Sequence, residues 1–211
     1  MKLDTALYFI TDSTGFEKDE FLGRVRSALE GGVTIIQLRE KNRTTREYID
    51  LAEAVHAITK EFNVPLIIDD RIDVMLAADC EGVHVGAEDM PVSVARKLIG
   101  KDKILGATAK TVEAASKAFN DGADYLGVGA IYPTTTKVKT VLTSTETLDA
   151  ITKAVPIPVN AIGGLNASNL GVLKGINIAG VCAVSAIMKA ESPKKAAEDL
   201  KQAFEDLRRN S

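Results

Sequence analysis

A short apolar run of strand character, followed by an amphipathic run of helical character, recurs eight times along this chain. The strand candidates are ALYFITD (6–12), TIIQLRE (34–40), PLIIDD (65–70), GVHVG (82–86), KILGATA (103–109), YLGVGA (125–130), PVNAIGG (158–164) and GVCAVS (180–185). Between them lie runs such as TTREYIDLAEAVHAITKEF, in which Tyr48, Leu51, Ala52, Val55 and Ile58 recur at helical spacing. Gly31-Gly32, Asn120 and Asp121-Gly122 read as helix stops. Ser192 followed by Pro193 reads as a cap with proline at the first helical position. Strands that alternate with single helices need crossovers, so the sheet they build is parallel. Eight such units in 211 residues fit a closed (β/α)8 TIM barrel, an α/β fold, better than an open sheet. An open doubly wound sheet announces itself with a Gly-rich turn after its first strand, and ITDSTGF is not that turn.

The chain is 45% hydrophobic, and no Pro/Gly-rich linker divides it. Residues 1–211 are therefore expected to form one barrel domain. The net charge of −3 offers no basic face for nucleic acid. No apolar run approaches the roughly 18 residues that a membrane span needs. The first dozen residues, MKLDTALYFITD, carry two acids and no small-residue cleavage site, so no signal peptide is expected. Cys80 and Cys182 are far apart and lack a CxxC spacing. They read as small buried hydrophobes in a reducing, cytoplasmic setting.

In a barrel of this kind the site forms at the C-terminal ends of the strands. Polar residues gather there: Asp12, Gln37 to Lys41, Asp69-Asp70, Gly86 to Asp89, Thr108 to Lys110, Thr134 to Lys137, Gly163-Gly164 and Ser185. In QLREK the period of two puts Gln37, Arg39 and Lys41 on one face. That face either binds a phosphorylated substrate through charge-assisted hydrogen bonds or is a solvated strand end with Arg39 paired to Glu40 or Asp70. In IIDDR, Asp69 and Asp70 alternate faces, but a loop can turn both to the mouth. Asp89 adds an acid in the adjacent loop. Asp70 and Asp89 suit Mg2+, which takes one or two carboxylates and leaves its other positions to water and phosphate; the alternative for a lone DD is a helix cap or turn. In YPTTTK, Thr134, Thr135 and Thr136 can donate hydroxyls to phosphate and Lys137 can add a charge, or the stretch is an ordinary polar loop. AIGG and AVSA end the last two strands, where barrels commonly bind phosphate. His56 reads as a surface residue of its helix. His84 can line the barrel and reads as a satisfied structural histidine. No nucleophilic triad or HExxH spacing is present.

QLREK, IIDDR, GVHVGAEDMP, GADYLGVGAIYPTTTK, IPVNAIGG and VSAI, in this order and spacing, closely resemble the thiamine-phosphate synthases. The likeness runs over about residues 6 to 200. It implies a Mg2+-assisted transfer between two small phosphorylated substrates. A pyrimidine diphosphate would be joined to a thiazole phosphate with release of pyrophosphate. By this resemblance Gln37, Leu38, Arg39, Glu40, Lys41, Asp69, Thr108 and Lys137 would hold the pyrimidine diphosphate. Thr134, Thr135, Thr136, Gly164, Val184 and Ser185 would hold the thiazole phosphate, and Asp70 and Asp89 the metal. Arg39, Lys41, Lys137 and Thr108 would be the catalytic groups. Asp69, Ala87, Thr108 and Ala130 stand where many members carry Asn, Gln, Ser and Pro. The partners expected are these small molecules, with no nucleic acid and no membrane; a homo-oligomer is left open. A thiazole tautomerase-like or catalytically silent relative on the same barrel would have lost the cation and metal positions. The tautomerase would also carry a histidine where Lys110 stands.

Overall fold

The structure, a computed structural model, describes residues 3–133 and 141–210. Its strands are β1 (Leu7–Ile10), β2 (Ile35–Leu38), β3 (Leu66–Asp69), β4 (Gly82–Val85), β5 (Ile104–Ala109), β6 (Tyr125–Gly129), β7 (Val159–Ile162) and β8 (Gly180–Ala183). They pair in parallel in chain order and β8 returns to β1, so the sheet is a closed barrel. The expected TIM barrel is the observed one. The polar tails of most strand candidates, such as Arg39-Glu40 and Asp70, fall in the loops that follow.

The helices are α1 (Lys18–Glu30), α2 (Thr45–Glu61), α3 (Ile72–Ala77), α4 (Val92–Ile99), α5 (Val112–Asn120), α6 (Thr145–Ala154), α7 (Ser185–Met188) and α8 (Pro193–Arg209). Local chemistry sets their starts. Thr44 and Glu47 form a capping box at α2. Thr111, Ser144 and Ser192 each accept a backbone N–H at the heads of α5, α6 and α8. The connection after β7 departs from the pattern. It holds only a 3-10 turn, Leu170–Leu173, in a stretch whose Asn166, Asn169, Gly171 and Gly175 disfavour a longer helix. Among the described residues no helix is long and apolar enough to cross a membrane.

Alternation along the strands divides the core in two. Leu7, Phe9, Ile36, Leu38, Leu66 and Ile68 face outward and pack with helical residues such as Phe21, Val25, Leu51 and Val55. Tyr8, Ile10, Ile35, Ile67, Tyr125 and Cys182 form a second cluster inside the barrel. His56, expected at the surface, is buried. Its Nδ1 meets the Ala78 carbonyl at 3.2 Å and its Nε2 meets Glu81 at 2.9 Å. Glu81 also accepts the Leu66 N–H at 2.8 Å, so His56 ties α2 to the base of the barrel.

Closure needs close backbone approach where β8 meets β1. A Cβ on Gly180 would lie 1.8 Å from the Thr5 carbonyl oxygen, whereas one on Gly171 would meet nothing within 4 Å. Gly180→Ala should therefore lower unfolding free energy by about 3 kcal/mol or more. Gly171→Ala should be neutral or stabilise by up to about 1 kcal/mol. Urea denaturation of the two variants checks this; an equal effect would contradict the closure geometry.

Candidate active site

The C-terminal strand ends surround a cavity of about 200 Å³. The period of two brings Gln37 of β2 and Arg39 just after it, Asp69 from β3, His84 from β4, and Thr108 of β5 and Lys110 just after it to its wall. Gly163 and Gly164 after β7, and Val184 and Ser185 after β8, supply another part. Arg39 also borders a polar hollow beside the mouth, together with Glu40, Lys41 and Arg43.

Lys41 holds the acids together. Its ammonium lies 2.8 Å from Asp69 Oδ2 and hydrogen-bonds Asp70 Oδ2. Arg39 Nε stands 3.8 Å from the same Asp69 oxygen. That oxygen is buried and lacks an aligned hydrogen-bond donor, so its contact with Lys41 is one of charge. Burial, and then the Asp70 carboxylate, push Asp69 above the ordinary carboxylate range, against the pull of Lys41 and Arg39. Asp70 is also partly buried, but the Lys41 hydrogen bond and charge outweigh that and hold it low. Burial works against Lys41 too, yet Asp69 and Asp70 keep it more basic than usual.

A left-handed turn at Asp70, with φ of 60°, brings both neighbouring carboxylates to Lys41. The Asp70 N–H donating to the His84 carbonyl at 2.8 Å pins that turn. Aspartate tolerates this conformation better than most residues. Asp89 accepts the Gly86 N–H at 2.9 Å. Its carboxyl stands beside that of Asp70, and burial and then that neighbour raise its pKa. Two carboxylates in contact, one of them forced toward its protonated form, are a donor pair that a divalent cation would relieve. Among the described residues no third acid, His or Cys joins them. The set thus fits a hard cation whose other ligands come from water and substrate oxygens.

Two residues of QLREK make contacts of a different kind. Leu38 faces the helices in the outer core, as alternation from Gln37 requires, and its carbonyl accepts the Tyr48 hydroxyl at 2.7 Å. The Glu40 carboxylate accepts from Ser13 and Arg43, at 2.7 and 2.8 Å, and braces the loops after β1 and β2. Thr134, Thr135, Thr136 and Lys137 lie outside the described residues. The segment just before them packs on the β7 turn: the Tyr132 N–H donates to the Gly163 carbonyl at 3.0 Å. Gly164, with φ of 66°, leaves no room for a side chain, since its Cβ would lie 2.7 Å from Tyr132 Cβ.

The cavity wall also holds Tyr8, which the sequence did not single out, beside Lys110 from the polar run Thr108 to Lys110. Tyr8 and Tyr125 are fully buried, and that burial raises both phenols well above their ordinary pKa, so they stay protonated. His84 lines the cavity and is also satisfied: its ring nitrogens meet Tyr125 at 3.2 Å and Thr108 at 2.9 Å. Burial lowers its pKa to about 4, despite the Asp70 charge, so the ring is neutral near pH 7.

A closed parallel barrel with cations, paired carboxylates and glycine turns gathered at its C-terminal mouth defines an α/β-barrel enzyme. The family model described as thiamine monophosphate synthase matches residues 7–187. A thiamine-phosphate synthase of Clostridium tetani is 47% identical over 204 residues, covering 97% of this chain and 98% of the relative. Thiamine-phosphate synthase 2 of Streptococcus pneumoniae is 53% identical over 185 residues, 88% of each chain. The solved thiamine phosphate pyrophosphorylase from Pyrococcus furiosus superposes with a TM-score of 0.85 at 39% identity, covering 96% of each chain. The chain belongs to the thiamine monophosphate synthase family.

The neutral His84 gives a pH signature. The unfolded chain binds a proton there below about pH 6.5, whereas the folded chain waits until about 4. The contribution is complete above pH 6.5 and is lost as pH falls toward 4, about 3 kcal/mol in all. Chemical denaturation across this range should show a steeper acid loss for the native chain than for His84→Gln. Parallel curves would contradict a neutral buried His84.

Proposed function

We propose that this chain is a thiamine-phosphate synthase. It joins 4-amino-2-methyl-5-hydroxymethylpyrimidine diphosphate to 4-methyl-5-(2-phosphoethyl)thiazole, giving thiamine phosphate and pyrophosphate. One observation carries the reading: Gln37, Arg39, Asp69, Thr108, Gly164, Val184 and Ser185, drawn from five strands and the turns that follow them, line one cavity. Gln37, Arg39, Lys41, Asp69 and Thr108 hold the pyrimidine diphosphate in this scheme. The polar hollow bordered by Arg39 and Lys41 receives its phosphates, and Lys137 is assigned to the same phosphates. Gly164, Val184 and Ser185, with Thr134, Thr135 and Thr136, hold the thiazole phosphate. Leu38 and Glu40 belong to the same stretch: Leu38 turns its side chain to the outer core, and Glu40 borders the polar hollow. The whole of 1–211 acts as one catalytic domain. A cytoplasmic setting goes with the free, buried Cys80 and Cys182.

The chemistry needs charge and placement more than a nucleophile. The methylene C–O bond of the diphosphate breaks, and its electron pair leaves on oxygen. The methylene carbon, conjugated with the pyrimidine, is captured by the thiazole nitrogen lone pair, which forms the new C–N bond. Arg39, Lys41 and Lys137 stabilise the charge that grows on the leaving oxygens. Mg2+, held by Asp70 and Asp89, supplies further positive charge against the diphosphate when bound. Gln37 and Thr108 fix the ring, while Gly164 and Ser185 fix the thiazole partner at its phosphate, so the two reacting atoms face each other. The apolar floor, with Ile10, Ile162 and Cys182, keeps water from the electron-poor carbon.

Mixing both substrates with Mg2+ should yield thiamine phosphate and pyrophosphate in equal amounts. Binding of thiazole phosphate without either product would support a catalytically silent relative instead. Asp89→Asn should lower Mg2+-dependent kcat/KM by about a hundredfold and leave the Kd for thiazole phosphate within about twofold. Equal losses in both would contradict the division of the site.

A further inference from the structure

A continuous chain of hydrogen bonds runs under the cavity from one pyrimidine-facing residue to another. Gln37 Nε2 donates to the Tyr8 hydroxyl at 2.8 Å. The Tyr8 and Tyr125 hydroxyls meet at 2.6 Å. Tyr125 meets His84 Nδ1 at 3.2 Å, and His84 Nε2 meets Thr108 Oγ1 at 2.9 Å. The path crosses β2, β1, β6, β4 and β5. Gly106 makes room for it: a Cβ there would lie 2.3 Å from the Tyr125 hydroxyl and 2.5 Å from His84 Nδ1.

Each link constrains the next, because a phenol or a threonine has one proton and a neutral imidazole has one N–H. With Gln37 donating, Tyr8 directs its proton to Tyr125, and Tyr125 directs its own to His84 Nδ1. The ring N–H then sits on Nε2 and donates to Thr108. The Thr108 proton is left for the cavity, and the Gln37 carbonyl is left to accept. The ends are complementary: one donor and one acceptor. Turning the Gln37 amide would reverse every link and exchange the two ends together.

We propose, resting on the assignment of Gln37 and Thr108 to the pyrimidine, that Tyr8 and Tyr125 are positioning residues for this reaction. With His84 they lock the hydrogen-bond sense of Gln37 to that of Thr108. The cavity thereby selects a heteroaromatic ring that carries both an amino group and a nitrogen acceptor: Gln37 accepts from the amino group and Thr108 donates to a ring nitrogen.

Nitrogen-15 NMR of the histidine rings tests the lock without substrate, and the chain has only two histidines. His84 should be a single Nε2–H tautomer in the native chain; a dominant Nδ1–H form overturns the assigned sense. Tyr8→Phe removes a hydroxyl that has no bond to His84, yet it should leave His84 a mixture of tautomers; an unchanged ring overturns the coupling. In steady-state assays Tyr8→Phe and Tyr125→Phe should each raise KM for the pyrimidine diphosphate about fivefold to tenfold. KM for the thiazole phosphate should stay put, and the double variant should be no worse than either single one. Multiplied losses overturn the proposal, because a chain broken twice is no more broken than once. A native chain that shows the tautomer pattern but makes no thiamine phosphate would sink the synthase reading and leave the lock standing.

Discussion

The pairing of β8 with β1 is the contact on which the rest depends. Leu7 aligns with Val181 and Phe9 with Ala183, while Tyr8 aligns with Ile35 across the other edge of β1. That closure sends every second side chain inward and brings the strand ends into one ring. Without it, Ser185 after β8 and Arg39 after β2 would sit at opposite edges of an open sheet. With it they line the same cavity. Gly180 shows what closure requires: a backbone so near the Thr5 carbonyl that no side chain fits.

The mouth is then a problem of charge. Lys41 bridges Asp69 and Asp70, and Asp89 stands beside Asp70. Asp69 brings a further negative charge that Lys41 and Arg39 meet. Such a cluster is costly to desolvate unless each charge is compensated. Lys41 does part of this in the protein alone. A divalent cation at Asp70 and Asp89 would do the rest, and would free cationic side chains for a diphosphate. The same economy of position holds below the mouth, where Tyr8, Tyr125 and His84 satisfy one another in an otherwise apolar interior.

Much of this was legible in the sequence because the strands of a parallel barrel are short apolar runs with polar tails. Those tails, Arg39-Glu40, Asp70 and Gly163-Gly164, mark the mouth directly. Which face a strand residue takes was harder to read. Both faces of a parallel barrel strand are buried, so Leu38 and Gln37 sit in one apolar run although they point opposite ways. Leu38 turns its side chain outward, while Glu40, held by Ser13 and Arg43, borders the polar hollow beside the mouth. Tyr8 and Tyr125 look like ordinary core aromatics until their hydroxyls are seen to meet. His56 looked exposed because its partners, Ala78 and Glu81, lie more than twenty residues further along the chain. The left-handed turn at Asp70 carries no sequence mark beyond an aspartate that tolerates it.

The central claim is that one barrel mouth holds two anionic subsites with a metal-bearing acid pair beside one of them. The most direct measurement is a crystal structure with thiamine phosphate, pyrophosphate and Mg2+ bound. Pyrophosphate should contact Arg39 and Lys41, with the metal touching Asp70 and Asp89. The thiamine phosphate group should rest on the backbone near Gly164 and Ser185. Pyrophosphate found at Gly164 and Ser185, or a metal bound away from Asp70 and Asp89, would contradict the account.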